Sequence, residues 1–475
     1  MNLGEIMSLI TATEVATRIQ PRIRSEEPSG FSIDSRSVRP GELFFAIRGE
    51  WNDGHDFAGQ AIEKGALAAV VRRDFHARGI DESKLIRAND TLRALQALAT
   101  AVLRSWRGFE IAVTGSSGKT TTKEITAAVL ARTSRVIKSL GNLNNAYGLP
   151  LSVLRMESDG AHASDFDFAV FEMGMNHKGE IAELTRIAPP DLGVVTNVAA
   201  AHLEFFESVD GIAEAKSEMV AGIKAGGCAV LNADDERVAR MRSLRTDLEY
   251  RTFGVERKAD VTARGVVSEG MKGSRFTLST PQGEVAATLR LPGRHNLLNA
   301  LAAAAVADFY GTPLADIAAV LETAAPPKMR GELVRLANGA TVIDDSYNSN
   351  PKALAEMVET LRATDCKRRI VVAGEMLELG PSSPELHRQA GRRIPTDKVD
   401  LLIGVRGLAR DIVEGAREIG FSENGAVFCE TVNDAADLLI RELRAGDWAL
   451  VKGSRGVGME IVVERIRREL GGRLD

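Results

Sequence analysis

The segment Thr114-Gly115-Ser116-Ser117-Gly118-Lys119-Thr120-Thr121 gathers two glycines, a lysine and several hydroxyls into one short run. Glycines let backbone N–H groups turn onto phosphate oxygens, and the start of a helix adds a partial positive charge. In this pattern Lys119 reaches the β- and γ-phosphates of a nucleotide and the Thr120 hydroxyl binds Mg²⁺. The longer form of the motif has a glycine five residues before Gly118, where Val113 stands; this is the shorter T-G-x-x-G-K-T form. A glycine-rich turn followed by a chance Lys-Thr pair is the alternative. The placement between an apolar strand, Glu110 to Val113, and a helix, Thr122 to Ala131, favours nucleotide binding.

Mg²⁺ prefers oxygen and takes only one or two carboxylates while keeping several waters. Glu172 closes an apolar strand at the carboxyl edge, where open α/β sheets place ligands. A glutamate there serves equally as a solvated cap. His202, beyond the strand ending Val195-Thr196-Asn197, is by itself most simply structural; the shared strand-end position is what raises both residues.

The elements that must hold these side chains follow from apolar runs and their punctuation. Residues Phe31 to Phe57 contain short strands broken by Pro40-Gly41, Gly49 and Asp53-Gly54, which reads as a small mixed α/β unit. A helix from Asp90 to Leu103 ends it, so the first boundary falls near residue 105. Strands Glu110 to Val113, Asp167 to Glu172, Leu192 to Thr196 and Cys228 to Leu231 then alternate with helices, the rhythm of a parallel sheet. Val261 to Leu291 alternates polar and apolar residues and reads as an antiparallel insertion, with an Ala-rich helix His295 to Phe309 after it. Beyond Ala325-Pro326-Pro327, strands Ala340 to Asp344, Arg369 to Ala373, Val399 to Ile403 and Asp447 to Val451 make a third, α/β unit. The expected domains are therefore 1–105, 106–325 and 326–475.

Length agrees: 475 residues exceed a single core. At 44% apolar and 26% charged the chain has the composition of a soluble globular protein. No apolar run approaches a membrane span and Met1 to Arg24 lacks a secretory pattern, so a cytoplasmic location without stable membrane insertion is expected. Cys228, Cys366 and Cys429 are too scattered for a metal knuckle and odd in number, which suits buried thiols. A net charge of −5 and the lack of a Lys/Arg cluster disfavour nucleic acid as a partner.

At these residues the chain resembles the Mur ligases of bacterial cell-wall synthesis over nearly its whole length. Those enzymes, like folylpolyglutamate synthases, carry T-G-[ST]-x-G-K-T-[ST], a strand-end Glu, and T-N-x-x-x-x-H followed by a Lys. Here these are Thr114 to Thr121, Glu172, Thr196-Asn197 to His202, and Lys216. The resemblance implies a central P-loop ATPase domain, a C-terminal Rossmann-like domain and an N-terminal UDP-binding domain. It implies ATP, two Mg²⁺ ions, and carbamylation of Lys216 to N6-carboxylysine, although an ordinary surface lysine is what the helix alone suggests.

Gly141 to Asn145 with Gly148, Glu172 to Glu180, Asp344 to Pro351 and Val451 to Arg455 resemble the member that joins D-alanyl-D-alanine to UDP-N-acetylmuramoyl-tripeptide. The D-N-P-R signature of the diaminopimelate-adding member is absent. By the same resemblance Ser35 and Arg36, with Gly49 to Gly54, hold UDP, and Asn144, Asn145 and His177 contact substrate. Asn296 contacts adenine, Arg330 the phosphates and Asp345 the ribose. Tyr347, Asn348 and Asn350 recognise the dipeptide, unless they form a plain polar loop. The expected enzyme is a monomeric ATP-dependent peptide ligase of peptidoglycan synthesis working through an acyl phosphate. Its rivals are another Mur ligase, a folylpolyglutamate synthase, and a catalytically silent ATP-binding switch or scaffold.

Overall fold

The computed structural model describes residues 1–10, 21–49, 51–76, 79–200 and 203–474. Three sheets within it organise three α/β domains in chain order. The first contains β1 (Phe31–Ser32), β2 (Leu43–Phe45), β3 (Ala68–Arg72) and β4 (Leu85–Ala88), paired in that order and parallel throughout. Parallel pairing requires a crossover between strands, and the helix Ala58–Glu63 supplies one between β2 and β3. The helix Thr91–Ser105 follows, started by Asp90, whose carboxylate accepts from the N–H groups of Leu92 and Arg93.

The second sheet has nine strands: β5 (Phe109–Thr114), β6 (Val136–Lys138), β7 (Phe168–Glu172), β8 (Leu192–Val195), β9 (Cys228–Asn232), β10 (Glu249–Gly254), β11 (Val261–Ser268), β12 (Ser274–Thr280) and β13 (Gly283–Leu289). Their order is β13-β12-β11-β10-β9-β8-β5-β7-β6. Pairing is parallel from β6 to β11 and antiparallel only in β11-β12-β13. The expected antiparallel insertion is thus an extension of the same sheet. Its link is β10, whose polar start, Glu249-Tyr250-Arg251, hides the strand from an apolar-run reading.

Strand β5 lies between β7 and β8, and its side chains alternate between two cores. Ala112 joins a core that continues into the first domain through Leu43 and Val70. Ile111 and Val113 face the Ala-rich helix Arg294–Phe309, buried almost all round because small side chains let neighbours approach closely.

The third sheet comprises β14 (Glu332–Leu336), β15 (Thr341–Asp345), β16 (Arg368–Gly374), β17 (Leu401–Val405), β18 (Ala426–Cys429), β19 (Asp447–Lys452) and β20 (Gly472–Leu474), ordered β18-β17-β16-β19-β15-β14-β20. Strand β19 comes last of the parallel set yet sits between β15 and β16. That interruption of strand order opens a crevice at the carboxyl ends, the usual ligand position of such sheets. The second and third domains also interlock: Met271, between β11 and β12, packs in the third domain's core with Leu354, Met357 and Leu361.

Cys228, Cys366 and Cys429 are free thiols, and burial pushes Cys228 up to about 12. Among the described residues no helix is long and apolar enough to cross a membrane.

Candidate functional site

The loop after β5 turns at Gly115, with φ +151°, and Gly118, with φ +79°. A Cβ on Gly115 would stand 1.8 Å from Thr196 Oγ1, and one on Gly118 would stand 2.1 Å from Asn299 Oδ1. Both conformation and space therefore demand glycine. The helix Lys119–Leu130 starts at once after the loop, so Lys119, Thr120 and Thr121 occupy its first turn, earlier than the expected start at Thr122. Four N–H groups at a helix start lack intrahelical partners, and here they belong to the loop's own functional residues.

The end of β8 braces the loop. Asn197 Oδ1 accepts from the Ser117 N–H at 3.1 Å, its Nδ2 donates to Ser117 O at 3.1 Å, and Thr196 Oγ1 donates to the same carbonyl at 2.6 Å. Asn232 Nδ2, at the end of β9, donates to Thr196 O at 2.8 Å. Lys119 Nζ donates to Gly115 O at 2.9 Å. Burial lowers its pKa, Glu172 opposes that and Arg330 adds to it. The last effect brings Arg330, from another domain, within electrostatic reach of the loop.

Glu172 is 2% exposed at the end of β7. Its Oε2 accepts from Thr120 Oγ1 at 2.8 Å and its Oε1 from Asn144 Nδ2 at 2.8 Å. A buried carboxylate held by a hydroxyl and an amide is a fixed oxygen donor, not a solvated cap. Among the described residues no group of three or more His, Cys, Asp or Glu side chains is arranged to hold a metal ion. The donor set is instead a hydroxyl and one carboxylate, which suits an ion that completes its shell with water and phosphate. His202 lies outside the described residues.

Lys216 occupies the helix Val209–Gly222 and is 2% exposed, which corrects the surface alternative. Burial holds its pKa well below the lysine range, with Lys119 adding to the shift. Among the described residues no carboxylate pairs with it.

A cavity of about 400 Å³ lies against the phosphate loop and Glu172 and is lined on its far side by the third domain; Lys216 is not among its lining residues. Ser116 to Thr121, Asn144 and Glu172 form one wall; Arg330, Asp345, Tyr347, Asn348 and Asn350 form the other. Arg330 stacks 4.0 Å above the Tyr347 ring, a cation–π contact. Asp345 Oδ2 accepts from Lys452 Nζ at 2.6 Å, and Lys452 also donates to Asn348 O at 2.9 Å. Asn350 Oδ1 caps the helix Pro351–Arg362 by accepting from the Ala353 N–H at 2.9 Å. Asn296, also lining the cavity, donates to Pro292 O at 2.8 Å and accepts from Asn299 Nδ2 at 3.2 Å.

Other candidates stand apart from this cavity. Asn145 Oδ1 accepts from the Gly148 N–H at 2.9 Å and shapes a turn. His177 is exposed and meets Phe205 edge-on at 4.7 Å. In the first domain Ser35 Oγ donates to Gln60 Oε1 at 2.7 Å, while the exposed Arg36 forks onto Asp34.

Three participants escaped the sequence reading as site residues: Asn197, Asn299 and Lys452. Asn299 follows Asn296 by three residues and so shares its helix face, a spacing visible in the sequence. Lys452 faces Asp345 only because β15 and β19 pair in register, which no local signal announces.

Models of three Mur ligase domains match the chain: the family's catalytic domain at residues 27–105, its middle domain at 113–307 and its glutamate ligase domain at 329–455. The UDP-N-acetylmuramoyl-tripeptide–D-alanyl-D-alanine ligase of Escherichia coli (strain K12) is 37% identical over 439 residues, covering 92% of this chain and 93% of that one. Crystal structure I of MurF from Acinetobacter baumannii superposes with a TM-score of 0.83 at 32% identity, covering 92% and 93% of the two chains. The MurF ligase of Thermotoga maritima in complex with ADP superposes with a TM-score of 0.79 at 29% identity, covering 95% and 99%.

Proposed function

This chain belongs to the Mur ligase family, and we infer that it joins D-alanyl-D-alanine to UDP-N-acetylmuramoyl-tripeptide at the expense of ATP. The single observation that carries this reading is the cavity in which the P-loop, Glu172 and Arg330 converge, in a chain 37% identical to a ligase of that name. A carboxylate is a poor electrophile. In the first step an oxygen of the tripeptide's terminal carboxylate attacks the γ-phosphorus, the bond to the β-phosphate oxygen breaks, and ADP leaves. The dipeptide amine then attacks the acyl carbon, phosphate departs with that oxygen, and the amine loses its proton.

Phosphoryl transfer asks the protein mainly to position reactants and neutralise charge. Lys119 and Arg330 supply positive charge from opposite walls, and the N–H groups of Ser116 to Thr121 cradle the phosphates. Asn296, with Asn299 behind it, serves the adenine, and Asp345, oriented by Lys452, the ribose. Ser35 and Arg36 hold UDP; Asn144, Asn145 and His177 serve the tripeptide. Tyr347 and Asn348 face the dipeptide, and Asn350 holds their loop by capping the next helix.

Mg²⁺ would be held by Thr120 and Glu172, with His202 and a carbamylated Lys216 at a second position, and when bound it would neutralise phosphate charge. The fit rests on the buried hydroxyl–carboxylate pair and on Lys216, whose burial lowers its pKa and so favours the neutral amine that carbon dioxide requires. We propose domain boundaries at 105/106 and 325/326, and a monomeric enzyme of the cytoplasm.

The test is isotopic. Tripeptide labelled with ¹⁸O in its terminal carboxylate should deliver one ¹⁸O to the phosphate released with each amide bond. Amide formation with unlabelled phosphate would remove the acyl phosphate.

A further inference from the structure

Resting on the ligase reading above, the geometry points to Arg455 as the residue that selects the acceptor, by binding the terminal carboxylate of the D-dipeptide. The acceptor carries two functional ends. Its amine must reach the acyl phosphate, and its carboxylate needs a cation that no phosphate or carboxylate already holds at hydrogen-bond distance.

Among the described residues five lysines and arginines line the cavity. Lys119 belongs to the phosphate loop, and Arg330 acts on Lys119 through space. Lys452 is committed to Asp345 at 2.6 Å. Lys352 lies in the helix Pro351–Arg362 within electrostatic range of His295, whose pKa burial lowers first and Lys452 and Lys352 lower further, and His295 adjoins the nucleotide-side Asn296. Arg455 remains. Its side chain is 61% exposed, its closest carboxylate among the described residues is Glu460 at 3.9 Å, and Nη1 otherwise only grazes Met329 Sδ at 3.6 Å.

Its position suits the length of the ligand. The Arg455 guanidinium lies 5.7 Å from the centre of the Tyr347 ring and that of Arg330 lies 4.0 Å from it. The two guanidinium carbons are therefore no more than about 10 Å apart, a gap that an extended dipeptide at roughly 3.5 Å per residue plus a hydrogen bond can bridge. With the amine at the acyl phosphate beside Arg330, the carboxylate falls at Arg455. A guanidinium fork matches a carboxylate with two parallel hydrogen bonds. Both guanidinium groups lie over the Tyr347 ring, which limits where each can go. The Ser454 hydroxyl accepts from the Leu377 N–H at 2.9 Å and so anchors the turn from which Arg455 projects.

The experiment compares D-alanyl-D-alanine with D-alanyl-D-alaninamide, which keeps the amine and loses the negative charge. Wild type should prefer the acid by about 10²-fold in kcat/KM, the scale of a charge-assisted pair. Arg455→Gln should bring that ratio close to one through KM for the acid, leaving the amide reaction and KM for ATP and UDP-tripeptide unchanged. Should Arg455→Gln also lose the amide reaction, the ratio is read in Arg455→Lys, where an intermediate value is expected. An unchanged acid-to-amide ratio, or its collapse in Lys352→Gln instead, overturns the assignment. Failure of wild type to use either acceptor overturns the ligase reading itself.

Discussion

At the scale of single residues, two lysines matter most, Lys119 and the buried Lys216, whose pKa burial and then Lys119 lower. Lys119 is within hydrogen-bonding distance of its own loop and has Arg330 and Glu172 in electrostatic range. Lys119→Ala removes a preorganised cation from a site where charge moves, and such losses cost about 10²–10³-fold in kcat. Steady-state turnover checks this, and near-normal activity would overturn the phosphate-loop assignment. Lys216 is buried without a described counter-charge. Lys216→Ala should lower kcat by at least about 10²-fold while ATP binding, followed by calorimetry, persists; full activity would remove the carbamate. The residues legible in the sequence are those whose chemistry is contiguous, Thr114 to Thr121 above all. Glu172 was ambiguous there because strand-end position does not report burial, and the hydrogen bonds from Thr120 and Asn144 resolve its environment. Lys216 was less legible still, since a helix sequence does not say which face the neighbouring sheet covers.

Among the elements, β5 connects the site to its stability. Its carboxyl end feeds the phosphate loop, while near its amino end Glu110 is buried with Oε1 unpartnered. Burial pushes that carboxyl up to about 8, with Lys224 opposing and Asp191 adding to the rise. An unfolded glutamate titrates near ~4.3, so between there and about 8 the folded state holds the extra proton. Stability is then fully present below the unfolded value and falls as pH rises through that window. Glu110→Gln should raise the melting temperature at pH 8.5 by a few degrees and leave it nearly unchanged at pH 4. An equal gain at both pH values would contradict the burial argument. Strands with continuous apolar runs, such as β7, β8 and β9, were readable to within a residue or two. Short or polar strands such as β6, β14, β18 and β20 were not read, nor was β10, whose polar start concealed the strand that fuses the antiparallel edge to the parallel sheet.

For the whole molecule, three domains and their order were visible in the punctuation and the spacing of strands. Their mutual placement was not, because long-range register leaves no local trace: Asp345 meets Lys452, and Met271 enters the third domain's core, through contacts between distant segments. That placement makes the cavity a property of two domains, with the P-loop on one wall and Arg330 on the other. Closing such a site excludes water from a hydrolysable acyl phosphate. The most direct test is phosphate release from ATP and Mg²⁺ with UDP-N-acetylmuramoyl-tripeptide, with and without D-alanyl-D-alanine, and with the peptide product weighed by mass spectrometry. Equal amounts of phosphate and of a product heavier by the dipeptide less water are expected, both requiring the two substrates. ATP binding with no amide product from this pair or from other Mur or folate acceptors would contradict the ligase reading and leave a nucleotide-binding switch.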